Sequence, residues 1–273
     1  MKKLFDYLVF TSLFSVSTIV ITILKPSAPA LSLPLSHQEI NQNSVYLSNN
    51  DLSARDYYDR GEVHRKKGEY DKAIKDYSKA IKLDPRHLWS YNRRGMCYEK
   101  QGKYIKAIKD HTQAIQLAPN KSWAYGLRGD VYHKIRQYNK SINDYNKAIQ
   151  LNPRYISAYN GRGLNYREQR KYSQAIEDFN IVMKLNPKYK WAYYNRGETY
   201  RRQGEYNKAI KDFDKAIQLD GKYISAYINR GITYENKREF SKAMRDYEKA
   251  IRLDPKNKNA IMNRNRLKRK MSR

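Results

Sequence analysis

Apolar residues recur along this chain at spacings of three, four and seven, the periodicity of a helical face and not of a strand. Residues 70–83 show it clearly. Ala73, Ile74, Tyr77, Ala80 and Ile81 fall on one stripe, with lysines and Asp76 elsewhere. The whole pattern then returns in phase. Glycine stands at Gly61, Gly95, Gly129, Gly163, Gly197 and Gly231, 34 residues apart each time. A fixed period of that length means stacked copies of one small unit, each burying its apolar face against its neighbours.

Other residue types travel with the glycine. Three places after it come Tyr98, Tyr132, Tyr166, Tyr200 and Tyr234, with His64 in the first copy. Later in each copy Tyr77, His111, Tyr145, Phe179, Phe213 and Tyr247 share one slot. Pro85, Pro119, Pro153, Pro187 and Pro255 close the copies, with Gly221 in the fifth. Proline lacks an amide hydrogen and turns the preceding residue away from helix, so it ends a helix there. A second break falls near Gly68, Glu69 and Tyr70. Each copy is therefore expected to be two antiparallel helices joined by a tight turn. Arginine precedes each glycine, from Arg60 to Arg230, and Asp76 and its counterparts precede the later aromatic slot. Folding a copy about its turn brings Arg60 and Asp76 to the same height, which predicts an Arg–Asp contact within each copy or between neighbours.

At these residues the chain resembles the tetratricopeptide repeat family. The run Ala192, Tyr193, Tyr194, Asn195, Arg196, Gly197, then Gly204, Glu205, Tyr206 and Lys208, Ala209, Ile210, is close to its consensus. The resemblance covers 54–257 as six repeats: 54–87, 88–121, 122–155, 156–189, 190–223 and 224–257. Residues 258–273 read as a basic capping helix. It implies an all-α, right-handed superhelical solenoid with a concave groove for a peptide or protein segment. Trp89, Trp123 and Trp191 sit at a position that faces the groove in that family; packing at the repeat junctions is the competing reading. Asn92, Asn160, Asn195 and Asn229 are candidates to bond an extended peptide. The family's carboxylate clamp is not matched, because the place after the glycine holds Glu62, Met96, Asp130, Leu164, Glu198 and Ile232 where asparagine is needed. Arg167, Arg201 and Arg202, with Lys66, Lys100 and Lys134, instead suggest a basic groove suited to an acidic peptide.

The amino end follows different rules. Lys2 and Lys3 precede an uncharged run over residues 7–24, whose 18 residues lie between the length of a signal segment and that of a membrane span. Cleavage near Ala28-Pro29-Ala30 and retention as an anchor both stay open. Either would put the repeats beyond a membrane, with residues 25–53, rich in Pro, Ser, Asn and Gln, as a linker.

Net charge is +28, and the first 53 residues contribute none of it. An acidic protein partner is expected, with docking of the basic tail on anionic lipid as the alternative; export disfavours nucleic acid. Cys97 is the only cysteine, which excludes an intrachain disulfide, and its slot predicts burial. The five histidines show no metal spacing. No phosphate loop, nucleophile elbow or paired-carboxylate motif is present, so the sequence gives no reason to expect an enzyme, a cofactor or a small-molecule substrate.

Overall fold

The computed structural model describes residues 52–272. Among them are thirteen α-helices and no strand. They run as α1 Ala54–Lys66, α2 Tyr70–Leu83, α3 Leu88–Lys100, α4 Tyr104–Leu117, α5 Ser122–Lys134, α6 Tyr138–Leu151 and α7 Ile156–Glu168. Then follow α8 Tyr172–Leu185, α9 Lys190–Arg202, α10 Tyr206–Leu219, α11 Ile224–Asn236, α12 Phe240–Leu253 and α13 Lys258–Met271. None is long and apolar enough to cross a membrane. The expectations for residues 1–51 lie outside the described residues.

Local chemistry fixes the ends. Ser53 caps α1 in a reciprocal capping box with Asp56. At the close of the second helices, Asp84, Asn152, Asn186, Asp220 and Asp254 each accept the backbone N–H two residues on, which folds the short connector around the proline or glycine between. The turn inside each repeat needs a left-handed residue, supplied by Gly68, Gly102 and Gly204. Arg136, Arg170 and Arg238 adopt the same left-handed conformation, with φ of 59°, 60° and 61°.

The 34-residue glycine is a packing device. A Cβ on Gly61 would lie 2.7 Å from the Tyr77 ring, and one on Gly231 equally close to Tyr247. The other four glycines meet His111, Tyr145, Phe179 and Phe213 in the same way. First and second helices thus close on one aromatic per repeat, flanked by alanines such as Ala73, Ala80, Ala209 and Ala216, all fully buried. Cys97 joins the first of these cores, and burial pushes its thiol up to about 11. In α13 the glycine slot holds Asn265, on a helix with no second helix after it among the described residues.

All six Arg–Asp contacts form. Each guanidinium grips its aspartate with Nε and Nη2, at 2.6–2.9 Å, from Arg60–Asp76 through Arg230–Asp246. From the second repeat on, Nη1 reaches back to the preceding second helix, at Ser78, Thr112, Asn146, Asn180 and Asp214. Tyrosines enclose the same guanidinium. The Arg162 group lies 5.5 Å from the Tyr159 ring centre and 5.8 Å from that of Tyr166.

Burial lifts the carboxyls of Asp110, Asp178, Asp212 and Asp246 above their ordinary range, and the paired arginine offsets this only in part. The pairs therefore fix geometry more than they add stability. Asp178→Ala should cost about 3 kcal/mol by stranding Arg162, whereas Arg162→Leu combined with Asp178→Ala should recover most of that loss in chemical denaturation.

His111 carries a further consequence. It fills an aromatic slot, is fully buried, and neither ring nitrogen has a hydrogen-bond partner. Burial, with the Arg128 cation as a second cause, pushes its pKa down to about 4. The unfolded chain then takes up the proton first, so stability present above pH ~6.5 is lost as pH falls toward 4, by up to about 3 kcal/mol. His111→Phe faces apolar Met96 and Gly95 and should abolish that loss. The difference between variant and wild-type melts from pH 7 to 4 measures it.

Candidate ligand groove

First helices of successive repeats approach one another directly over most of the array, whereas second helices touch mainly the first helices on either side. The first helices therefore crowd the inside of the curve and line its concave face.

Trp89, Trp123 and Trp191 each stand at the second residue of a first helix, and Trp123 is partly buried. Trp89 and Trp191 are 46% and 48% exposed. Trp89 stacks on Trp123 across a repeat junction, with ring centres 5.2 Å apart and planes 13° from parallel. Trp191 packs at 5.1 Å against Tyr189, and the Lys190 ammonium lies 4.7 Å from its ring centre. The junction packing expected from the sequence is thus present, and Trp89 and Trp191 each keep one side in solvent.

The asparagines are less available. Asn92 is buried, and its Oδ1 has no partner. Asn195 is also buried and donates to Asn160 Oδ1 at 2.9 Å, while Asn229 donates to the Tyr194 hydroxyl at 2.6 Å. Asn160, Asn195 and Asn229 therefore join neighbouring first helices and have part of their hydrogen-bonding capacity committed.

Arg167, Arg201 and Arg202 come together from α7 and α9, around two acids. Arg201 grips Glu198 with two bonds of 2.8 Å, and Arg202 Nε meets the same carboxylate at 3.1 Å. Arg202 also reaches Glu168 at 3.2 Å, and Arg167 Nε lies 3.4 Å from it. Burial works against the Glu198 charge, yet Arg201, Arg202 and Arg167 outweigh it and hold the carboxyl below its usual range. Burial, then repulsion from Arg202, pulls Arg167 down, and its buried Nη1 makes no hydrogen bond. Three guanidinium groups share two carboxylates, so this stretch of groove is close to neutral with one cation in excess.

The same matching holds elsewhere. Glu62 accepts from Arg65 and from the Tyr77 hydroxyl, with Arg93 beside it; Glu99 meets Lys134; Glu235 meets Arg266. Sequence reasoning named the arginines and missed these acids. The signal was present in Glu198, three and four residues before Arg201 and Arg202, the spacing at which helical side chains meet. Among the described residues, no three His, Cys, Asp or Glu side chains are grouped to hold a metal.

The family model described as tetratricopeptide repeat matches residues 54–87, 89–121, 191–223 and 224–257, and a second, described as TPR repeat, matches 129–169 and 163–204. No curated protein matches the chain. Among solved structures, the MamA protein is 30% identical over 62% of this chain and 92% of its own, with a TM-score of 0.56. A tetratricopeptide repeat protein from Parabacteroides merdae is 19% identical over 84% of this chain and 90% of its own, at 0.68. YrrB, described as a TPR protein with an unusual peptide-binding site, is 20% identical over 68% of this chain and 96% of its own, at 0.53.

Because half of its surface stays in water, Trp191→Ala should cost only about 1 kcal/mol. Phe213→Ala, in the closed core beneath, should cost about 3 kcal/mol or more. Urea denaturation of the two variants separates groove from core.

Proposed function

Because the chain belongs to the tetratricopeptide repeat family, whose members are protein-interaction scaffolds and typically not enzymes, we propose that it holds an extended segment of a protein partner along its concave face. The observation that carries this reading is the Trp89–Trp123 stack, with Trp89 half-exposed and Trp123 partly buried. A broad apolar face with an indole N–H at its edge anchors a side chain of the partner, and such aromatic anchors dominate binding energy. The one guanidinium in excess where Arg167, Arg201 and Arg202 share Glu168 and Glu198 supplies complementary charge for an acidic group of that partner.

The scaffold works beyond a membrane, exported or tethered. The support is in the sequence: two lysines, an uncharged run over residues 7–24 and a polar linker. The second reading, an assembly factor docked on anionic lipid through its tail, is favoured by the exposed Lys268, Arg269 and Lys270 at the end of α13.

Crosslinked pull-down from the native membrane fraction tests the groove. Capture should fall sharply when Trp89, Trp123 and Trp191 are all changed to alanine, and should weaken as salt rises. Unaltered capture by the triple variant assigns the tryptophans to packing alone.

A further inference from the structure

We infer that the outward face of the second helices is a docking surface for an anionic lipid bilayer, separate from the groove and from the tail. The argument starts from where the unmatched charge lies. The groove acids Glu62, Glu99, Glu168, Glu198 and Glu235 are each paired with basic side chains, and the buried aspartates consume the ladder arginines. The +28 excess therefore lies mostly on other surfaces.

One row of it is Lys75, Lys109, Lys211 and Arg245, one slot of the second helix in the first, second, fifth and sixth repeats. All four are exposed, and among the described residues none has an ion-pair partner. One turn earlier, Lys106, Lys140, Lys208 and Lys242 lie 5.4–5.6 Å from the ring centres of Tyr98, Tyr132, Tyr200 and Tyr234. Lys208 and Lys242 also pair with Glu205 and Glu239, which leaves Lys106 and Lys140 as the unmatched pair of this row among the described residues. Because the unit repeats every 34 residues, these cations line up along the array. The Lys75 row is interrupted in the third and fourth repeats by Asn143 and Glu177, and the Lys106 row in the fourth by Gln174.

The turns give an independent pointer. Arg136, Arg170 and Arg238 are exposed and hold a left-handed backbone that glycine adopts at less cost, as Gly68, Gly102 and Gly204 do in the other repeats. Placing an unpaired cation at three strained positions indicates a use for the charge. Arg136 and Lys140 line the same open crevice, of about 320 Å³, so the turn cations and the helix cations share one surface.

The chemistry favours lipid over nucleic acid. Lysine dominates the rows, and its hydrated point charge on a flexible stem suits a fluid anionic surface. The arginine forks that would read phosphates are held by aspartate, and the tyrosines that would stack on bases are covered by Arg and Lys. This inference rests on the reading that the protein works at a membrane, but on a different face from the groove.

The test uses the full chain and sedimentation with phosphatidylcholine vesicles, with and without phosphatidylserine, at low and high salt. Changing Lys75, Lys109, Lys211 and Arg245 to glutamine, with folding checked by circular dichroism, should weaken the phosphatidylserine-dependent binding by up to about a thousandfold. High salt should produce a similar loss in the wild type. Lys268→Gln, Arg269→Gln and Lys270→Gln together should weaken it less, and the triple tryptophan variant should bind as the wild type does. Partner capture by the four-site variant should persist, which separates failure of this surface from failure of the groove. Wild-type vesicle binding by the four-site variant would overturn the inference. So would a larger loss from the tail changes, or row-dependent binding to a single-stranded oligonucleotide without binding to phosphatidylserine.

Discussion

One arginine per repeat organises this protein. It reaches 16 residues forward to grip the aspartate of its own second helix, and from the second repeat on it reaches 16 residues back to the second helix before. A planar group with five donors suits this, because two N–H vectors close on a carboxylate while a third stays free to point elsewhere. Leucine would fill the same volume but would set no angle between neighbours. The aromatic and alanine core supplies the apolar burial; the guanidinium specifies how one hairpin sits on the next.

That division explains how charge is arranged. A chain with this excess of lysine and arginine would repel itself if all of it were loose. Part of the arginine is instead neutralised in the ladder and part in the groove by glutamates on the same or neighbouring first helices. The inner face is left nearly balanced, with indole rings as its most distinctive surface. The outer face and the turns keep the unmatched ammonium and guanidinium groups. Two surfaces of different character result from one repeating unit, because its two helices face opposite sides of the array.

Small departures from the repeat also carry information. His111 replaces a tyrosine or phenylalanine where the residue after the glycine is Met96. Tyr77 and Tyr145, by contrast, find Glu62 and Asp130 for their hydroxyls. Phe179 has Leu164 in that slot, but the fifth and sixth repeats break the match: Phe213 stands with Glu198, and Tyr247 stands with Ile232 and sends its hydroxyl to Glu235 instead.

The period, the helix pairs, the proline stops, the close approach at glycine, the Arg–Asp pairs and the burial of Cys97 were all legible in the residue order. Most of these depend on contacts inside a single hairpin, where local spacing sets which side chains meet; Cys97 instead packs on Ala73 and Tyr77 of the preceding hairpin, and its burial was legible from its place in the repeat. The links from Arg202 to Glu168 and from Asn195 to Asn160, and the Trp89–Trp123 stack, span 34 or 35 residues and join different hairpins. Whether those side chains meet depends on the rotation from one repeat to the next, a product of packing that no spacing in the sequence encodes. The letters settled what each unit is; only the stacked chain decided which cations were already spoken for and which remained open to a partner.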